Sequence, residues 1–291
     1  MIVFLIPLFY AFANLADKIL VTGDDDDADP GALLALSGLF SGLFSIIFGF
    51  WIYFTGRSFG DIPTIVMLIG IGAIYYSAIW IYLDMLKAND SSSVTAWFQI
   101  IPLFGTIGAF IILREIPVWY QIVAIPMLII GGFMLSYRKG GFNKTIVFWM
   151  IISAALVALY DVLFAEYGRS IDEFSAIFFM LLGKTASGFV VLVADKKSQR
   201  GFWIALTTKL KTQLIAESAN TLADVVQYAC ILSMPILLVQ GAGTLQPMCV
   251  LAGAIVLGNR YPKLKEDIKG INLYQKVLGI VLMIAGGIFL M

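Results

Sequence analysis

Pro102–Pro117 reads PLFGTIGAFIILREIP, and 145 residues later Pro247–Pro262 reads PMCVLAGAIVLGNRYP. Both stretches open and close on proline. Both carry a Gly-Ala pair at the same place (Gly108-Ala109 and Gly253-Ala254), and the filling of both is largely apolar. The second is a diverged copy of the first. Each is the fourth of five apolar segments, so the chain divides into two like halves, 1–140 and 141–291. Five is an odd number. If every segment crosses a membrane, the second half enters from the side opposite to the first, which is the plan of inverted-repeat transporters.

Composition supports the membrane. Hydrophobic residues make up 60% of the 291 and charged residues 13%, with a mean hydropathy of +0.92. A chain this apolar could not cover itself with polar surface in water. The sequence has no histidine, which excludes imidazole metal sites, His-based triads and His proton relays. Cys230 and Cys249 lie in apolar segments without a CxxC spacing and read as packing residues. A net charge of zero implies no nucleic-acid partner. No metal or cofactor site is expected, and no enzymatic motif is visible.

Ten spans are expected at 2–21, 32–54, 62–86, 92–113, 117–137, 145–167, 174–194, 213–233, 236–258 and 273–291. Each has about 18–25 residues, enough at 1.5 Å per residue for a hydrocarbon core of about 30 Å. The first is read as a retained span, not as a cleaved signal. The expected fold class is therefore an all-α polytopic membrane protein, ten transmembrane helices in two inverted five-helix repeats. Small residues in GLFSGLFSIIFG (Gly38–Gly49), with Gly105 and Gly108, permit close helix contact. Between the seventh and eighth spans, Asp195–Lys211 reads either as an amphipathic interfacial helix or as a basic linker. The acidic run Asp24–Asp27 reads as a solvated turn.

Loops on the side of the two termini hold three basic residues, Arg57, Arg114 and Arg169; those on the other side hold fifteen. The positive-inside rule then puts the basic loops in the cytoplasm and both termini outside. A prokaryotic inner or plasma membrane is the expected location.

The paired proline-ended segments, and the like endings VAIPMLIIGGFML (Val123–Leu135) and LGIVLMIAGGIFL (Leu278–Leu290), resemble the drug/metabolite transporter superfamily in its EamA-like branch. The resemblance covers both halves. It implies a ten-helix basket with a central cavity and alternating access. Many bacterial members of that branch keep both termini in the cytoplasm, opposite to the charge count here.

Charge inside a membrane usually marks a cavity or a partner. Lys184 sits mid-span in FSAIFFMLLGKTASGFVVLVA (Phe174–Ala194) and needs a carboxylate, a cavity or a lowered pKa; Asp161, Glu217 and Asp224 are the candidate partners. It reads either as a functional group or as half of a buried ion pair. In the eighth span Glu217, Asn220, Thr221, Asp224, Gln227 and Tyr228 recur at spacings of three and four, giving one polar face. A shift of 145 places that stripe over Gly72, Tyr75, Tyr76, Ile79, Tyr82 and Leu83. The two halves would thus offer a polar wall and a tyrosine-bearing wall to one cavity. Asn14 matches Asp161 at an offset of 147, and Gln99 and Pro102 match Thr244, Gln246 and Pro247 as kinked polar segments. Asp17 and Lys18 read as an interfacial pair, and Asp84 as solvated. The candidate substrate-binding set is Asn14, Tyr75, Tyr76, Tyr82, Gln99, Asp161, Lys184, Glu217, Asn220, Asp224, Gln227 and Thr244.

These readings lead to a secondary active transporter for a small organic metabolite or amphipathic solute, with the lipid bilayer as its solvent. The rival from another class is a lipid or polyprenyl-carrier flippase of the same fold. The sequence is compatible with proton coupling, with exchange and with a homodimer.

Overall fold

The computed structural model describes residues 2–21, 29–87, 89–136, 144–208, 210–265 and 271–290. Asp24–Asp27 lie outside them, so the acidic turn has no structural account. The described residues are helical and include no strand. The helices are α1 (Leu5–Val21), α2 (Pro30–Thr55), α3 (Ile62–Lys87), α4 (Ser91–Thr95), α5 (Ile101–Gly108), α6 (Trp119–Ser136), α7 (Lys144–Gly168), α8 (Glu173–Ala194), α9 (Lys196–Thr208), α10 (Leu210–Ser233), α11 (Ile236–Gly243), α12 (Gln246–Leu257) and α13 (Ile271–Leu290). Helix occupies each of the ten expected intervals, with ends shifted by a few residues.

Seven helical stretches among the described residues are long and apolar enough to cross a membrane: Ile2–Val21, Pro30–Thr55, Ile62–Lys87, Ser93–Leu113, Lys144–Gly168, Glu173–Ala194 and Ile236–Leu257. The apolar stretches of α6 and α13 are shorter, and α10 is long but polar. With the apolar surface described below, this makes an integral, polytopic membrane protein.

Aspartates start several helices. Asp29 caps α2, with Pro30 at the first helical position, and Asp172 caps α8 through the backbone N–H groups of Phe174 and Ser175. Asp195 accepts from the Ser198 hydroxyl and from the backbone N–H groups of Lys197 and Ser198 at the start of α9. Those bonds, the hydroxyl's first, hold its carboxyl below the usual carboxylate range.

The fourth interval is not one regular helix. Ala96–Ile100 is a 3₁₀ turn and Ala109–Leu113 a π turn, on either side of α5 with Pro102 near its start. The ninth breaks at Thr244-Leu245, just before Gln246-Pro247. Both breaks follow from proline, which lacks an N–H and crowds the preceding turn.

Helices of residues 1–140 pack on helices of residues 141–291. α2 lies along α8, α6 along α13, α3 along α7 and α1 along α10; α5 packs on α7 as α12 packs on α1. Small residues allow the approach. A Cβ on Gly72 would collide with the backbone of Gly183 and Lys184, one on Gly131 would meet the Gly279 carbonyl at 2.7 Å, and one on Gly38 would lie 3.0 Å from the Gly188 Cα. The outer surface is apolar, with Phe54, Ile62, Ile116 and Val256 all largely exposed, as suits lipid contact. Trp51, Trp80 and Trp119 also face out, whereas Trp97 is buried edge-on against Phe133. Cys230 and Cys249 are free thiols.

The segment before α10 is the helix α9, which settles the local choice between helix and linker. It buries Phe202 and Ala205 against Ala32, Ala35 and Leu36 of α2 and leaves Trp203 exposed.

Candidate binding cavity

A cavity of about 1030 Å³, including its open mouth, lies between the halves. α1 contributes Ile6, Tyr10, Asn14 and Asp17, which spacings of three and four place on one face. α3 adds Tyr75, Ile79, Tyr82 and Leu83; α7 adds Val157, Tyr160 and Asp161; α10 adds Glu217, Asn220 and Gln227. The broken ninth segment supplies Val239, Gln240, Gly243, Thr244 and Gln246, and α2 supplies Leu33, Leu34 and Ser37.

Eight of the twelve candidate residues line this space: Asn14, Tyr75, Tyr82, Asp161, Glu217, Asn220, Gln227 and Thr244. The other four lie behind the wall, so direct contact with a ligand is not their place here. Tyr76 turns between helices, donating its hydroxyl to the Leu34 carbonyl at 3.1 Å. Gln99 is buried and donates to the Thr244 carbonyl at 3.2 Å, joining the two kinked segments. Lys184 and Asp224 are fully buried and paired with each other. The Lys184 Nζ also sits 3.6 Å from the centre of the Tyr75 ring. Of its three candidate partners the structure selects Asp224, because Asp161 and Glu217 point into the cavity.

Asp161 accepts from Gln227 Nε2 at 2.7 Å on one oxygen and from Gln240 Nε2 at 3.2 Å on the other. Gly105 makes this possible, since a Cβ there would collide with the Gln240 amide. In the other half, the Tyr82 hydroxyl donates to Asn14 Oδ1 at 2.9 Å. The offsets of 145 and 147 read from the sequence would make this bond the counterpart of Gln227–Asp161.

Glu217 takes the Gln213 amide N–H on Oε1 at 2.9 Å, while Oε2 is buried with the Ser37 hydroxyl near the carboxylate but no hydrogen bond of good geometry. Asp17 and Lys18 do not form an interfacial pair. Asp17 faces the cavity, and Lys18 is buried against the end of α3, donating to the carbonyls of Leu86 at 2.8 Å and Asn89 at 2.7 Å. Neighbours on a helix diverge by about 100°, so one cavity cannot hold both. Asp84 is exposed, as its place near the end of α3 suggested.

Tyr10, Tyr160 and Gln240 join the site although none is in the candidate set. Tyr10 stands one turn before Asn14 on the same face, and its hydroxyl donates to Asp224 Oδ1 at 2.8 Å. Gln240 is the single polar side chain in ILLVQGAG, a signal of the same kind as Lys184. No described group of three or more His, Cys, Asp or Glu side chains is placed to hold a metal ion.

Residues 1–137 match the EamA-like transporter family. The match takes in the first proline-ended segment, Pro102–Pro117, and so agrees with the EamA-like resemblance of the first half; Pro247–Pro262 lies outside it. No curated protein matches the sequence. A crystal structure of another protein superposes on 99% of this chain and 94% of its own, with a TM-score of 0.64 at 17% identity. At that identity the likeness is one of fold.

Proposed function

We propose that this protein is a secondary active transporter that moves a small organic solute across the membrane by alternating access, built as two inverted five-helix repeats. The observation that carries the proposal is the cavity itself, walled by α1 and α3 from one half and α7 and α10 from the other. The packing pattern supports the repeat: exchanging the halves turns the α3–α7 contact into α10–α1 and leaves α2–α8 and α6–α13 in place. Two such halves can rock about the α2–α8 and α6–α13 seams and expose the same site to either side. Ten crossings place the basic loops together, and the charge count then puts them in the cytoplasm.

The sequence has no GxxxxGK[ST] motif, so the energy comes from an ion gradient or from exchange. The flippase alternative is not favoured, because no lysine or arginine lines the cavity to meet an anionic headgroup. The test is flux by the purified full chain in liposomes. Solute accumulation driven by an imposed gradient or by a trans-loaded solute supports the proposal; flux equal to protein-free liposomes across a metabolite panel overturns it.

A further inference from the structure

We propose that the cavity selects an organic cation: a protonated amine with an apolar or aromatic body, its ammonium group held between Asp17 and Glu217. This rests on the transporter reading and names the substrate class.

The first argument is the charge inventory. Asp17, Asp161 and Glu217 line the cavity, and no lysine or arginine does. The nearest buried cation, Lys184, is committed to Asp224 behind the Tyr75 ring. Carboxylates withdrawn from water need compensation, since each unpaired buried ion costs on the order of several kcal/mol.

The second argument is where compensation is missing. Asp161 has an amide N–H on each oxygen. Glu217 is 5% exposed; the Ser37 hydroxyl stands near it, but its Oε2 lacks a hydrogen bond of good geometry. Asp17 lies within electrostatic reach of Glu217 and forms no hydrogen bond among the described residues. Asn14, 6% exposed and one turn from Asp17, likewise has an unpartnered Nδ2. Buried polar atoms are nearly always satisfied, so this end of the cavity is shaped for an absent donor and acceptor. A hydroxylated or amidic amine would meet both.

The third argument is the type of cation. Metal ions of high charge want several oxygen ligands at short range, and no such cluster exists among the described residues. The remaining walls are rings and aliphatic chains, including Tyr75, Tyr82, Phe98 and Leu34. They suit an apolar body, and ring faces attract an ammonium group.

The test uses the full chain in lipid nanodiscs and three probes on one phenylethyl frame: 2-phenylethylammonium, neutral 2-phenylethanol and anionic 3-phenylpropanoate. The amine should bind at least tenfold tighter than the alcohol, with the acid weakest. Glu217→Gln and Asp17→Asn should each weaken the amine tenfold or more and leave the alcohol within twofold. Glu217→Asp should keep the preference, and unchanged melting temperatures show that the variants fold. Equal or tighter binding of the alcohol or the acid overturns the proposal, as does binding of none of the three. Competitive displacement of the amine by Na⁺ at constant ionic strength assigns the site to an inorganic cation and also overturns it. Liposome flux separates the two readings. Flux without preference for the amine removes the cation and keeps the transporter; tight amine binding without flux removes the transporter and keeps the site.

Discussion

Asp224 and Glu217 sit two turns apart on α10, about 10 Å along one helix face, and their surroundings are opposite. Asp224 is fully buried, pairs with Lys184 and accepts from the Tyr10 hydroxyl. Glu217 opens on the cavity, with one amide donor and one bare oxygen. A carboxylate whose partners are all protein side chains is a fastener: it ties α8, α10 and α1 together. A carboxylate missing a partner is free to meet a ligand, the role proposed above for Glu217. Two carboxylates on one polar stripe thus stand in opposite surroundings, and the neighbouring helices decide which is which.

The largest effect that could break this contrast is at Lys184. Lys184→Met leaves Asp224 buried and unpaired, and should cost about 3–5 kcal/mol of stability in reversible unfolding. The double variant Lys184→Met, Asp224→Leu should recover much of it. A single variant as stable as the parent would mean that the pair is no fastener. Next comes Tyr10→Phe, which removes a hydrogen bond to a charged group and should cost about 1.5–3 kcal/mol, read in the same unfolding experiment. It sharpens the contrast, because Tyr10 touches both Asp224 and the cavity. Third, Glu217→Gln should lower transport tenfold or more, about 1.4 kcal/mol in binding, with little loss of stability. A stability loss as large as that of Lys184→Met would place Glu217 among the fasteners. The smallest effect is at exposed Asp84: Asp84→Asn should shift stability by no more than about 0.5 kcal/mol and leave flux unchanged.

The helical layout was legible because a membrane span announces itself by length and apolarity. The α10 stripe was legible too, because spacings of three and four put Glu217, Asn220, Asp224 and Gln227 on one face. What periodicity could not show is how wide an arc of that face the cavity occupies. Asp224 falls outside it under Lys184 and Tyr75, and Tyr76 and Gln99 are turned toward neighbouring backbone. Asp17 went the other way: its place near a helix end suggested the interface, but α10 packs beside it and walls off a cavity.

The sequence by itself determined that this chain lives in a membrane, that the fourth and ninth segments break near proline, and that a few polar residues lie deep within its apolar helices. These follow from local properties: hydropathy, the missing N–H of proline, and the cost of charge in hydrocarbon. Only the tertiary structure decided that Lys184 belongs to Asp224, that Gly105 clears room for Gln240 to reach Asp161, and that Glu217 keeps an open oxygen. Those are relations between helices far apart in the chain, and a side chain becomes fastener or recognition group only when its neighbours across the interface are in place.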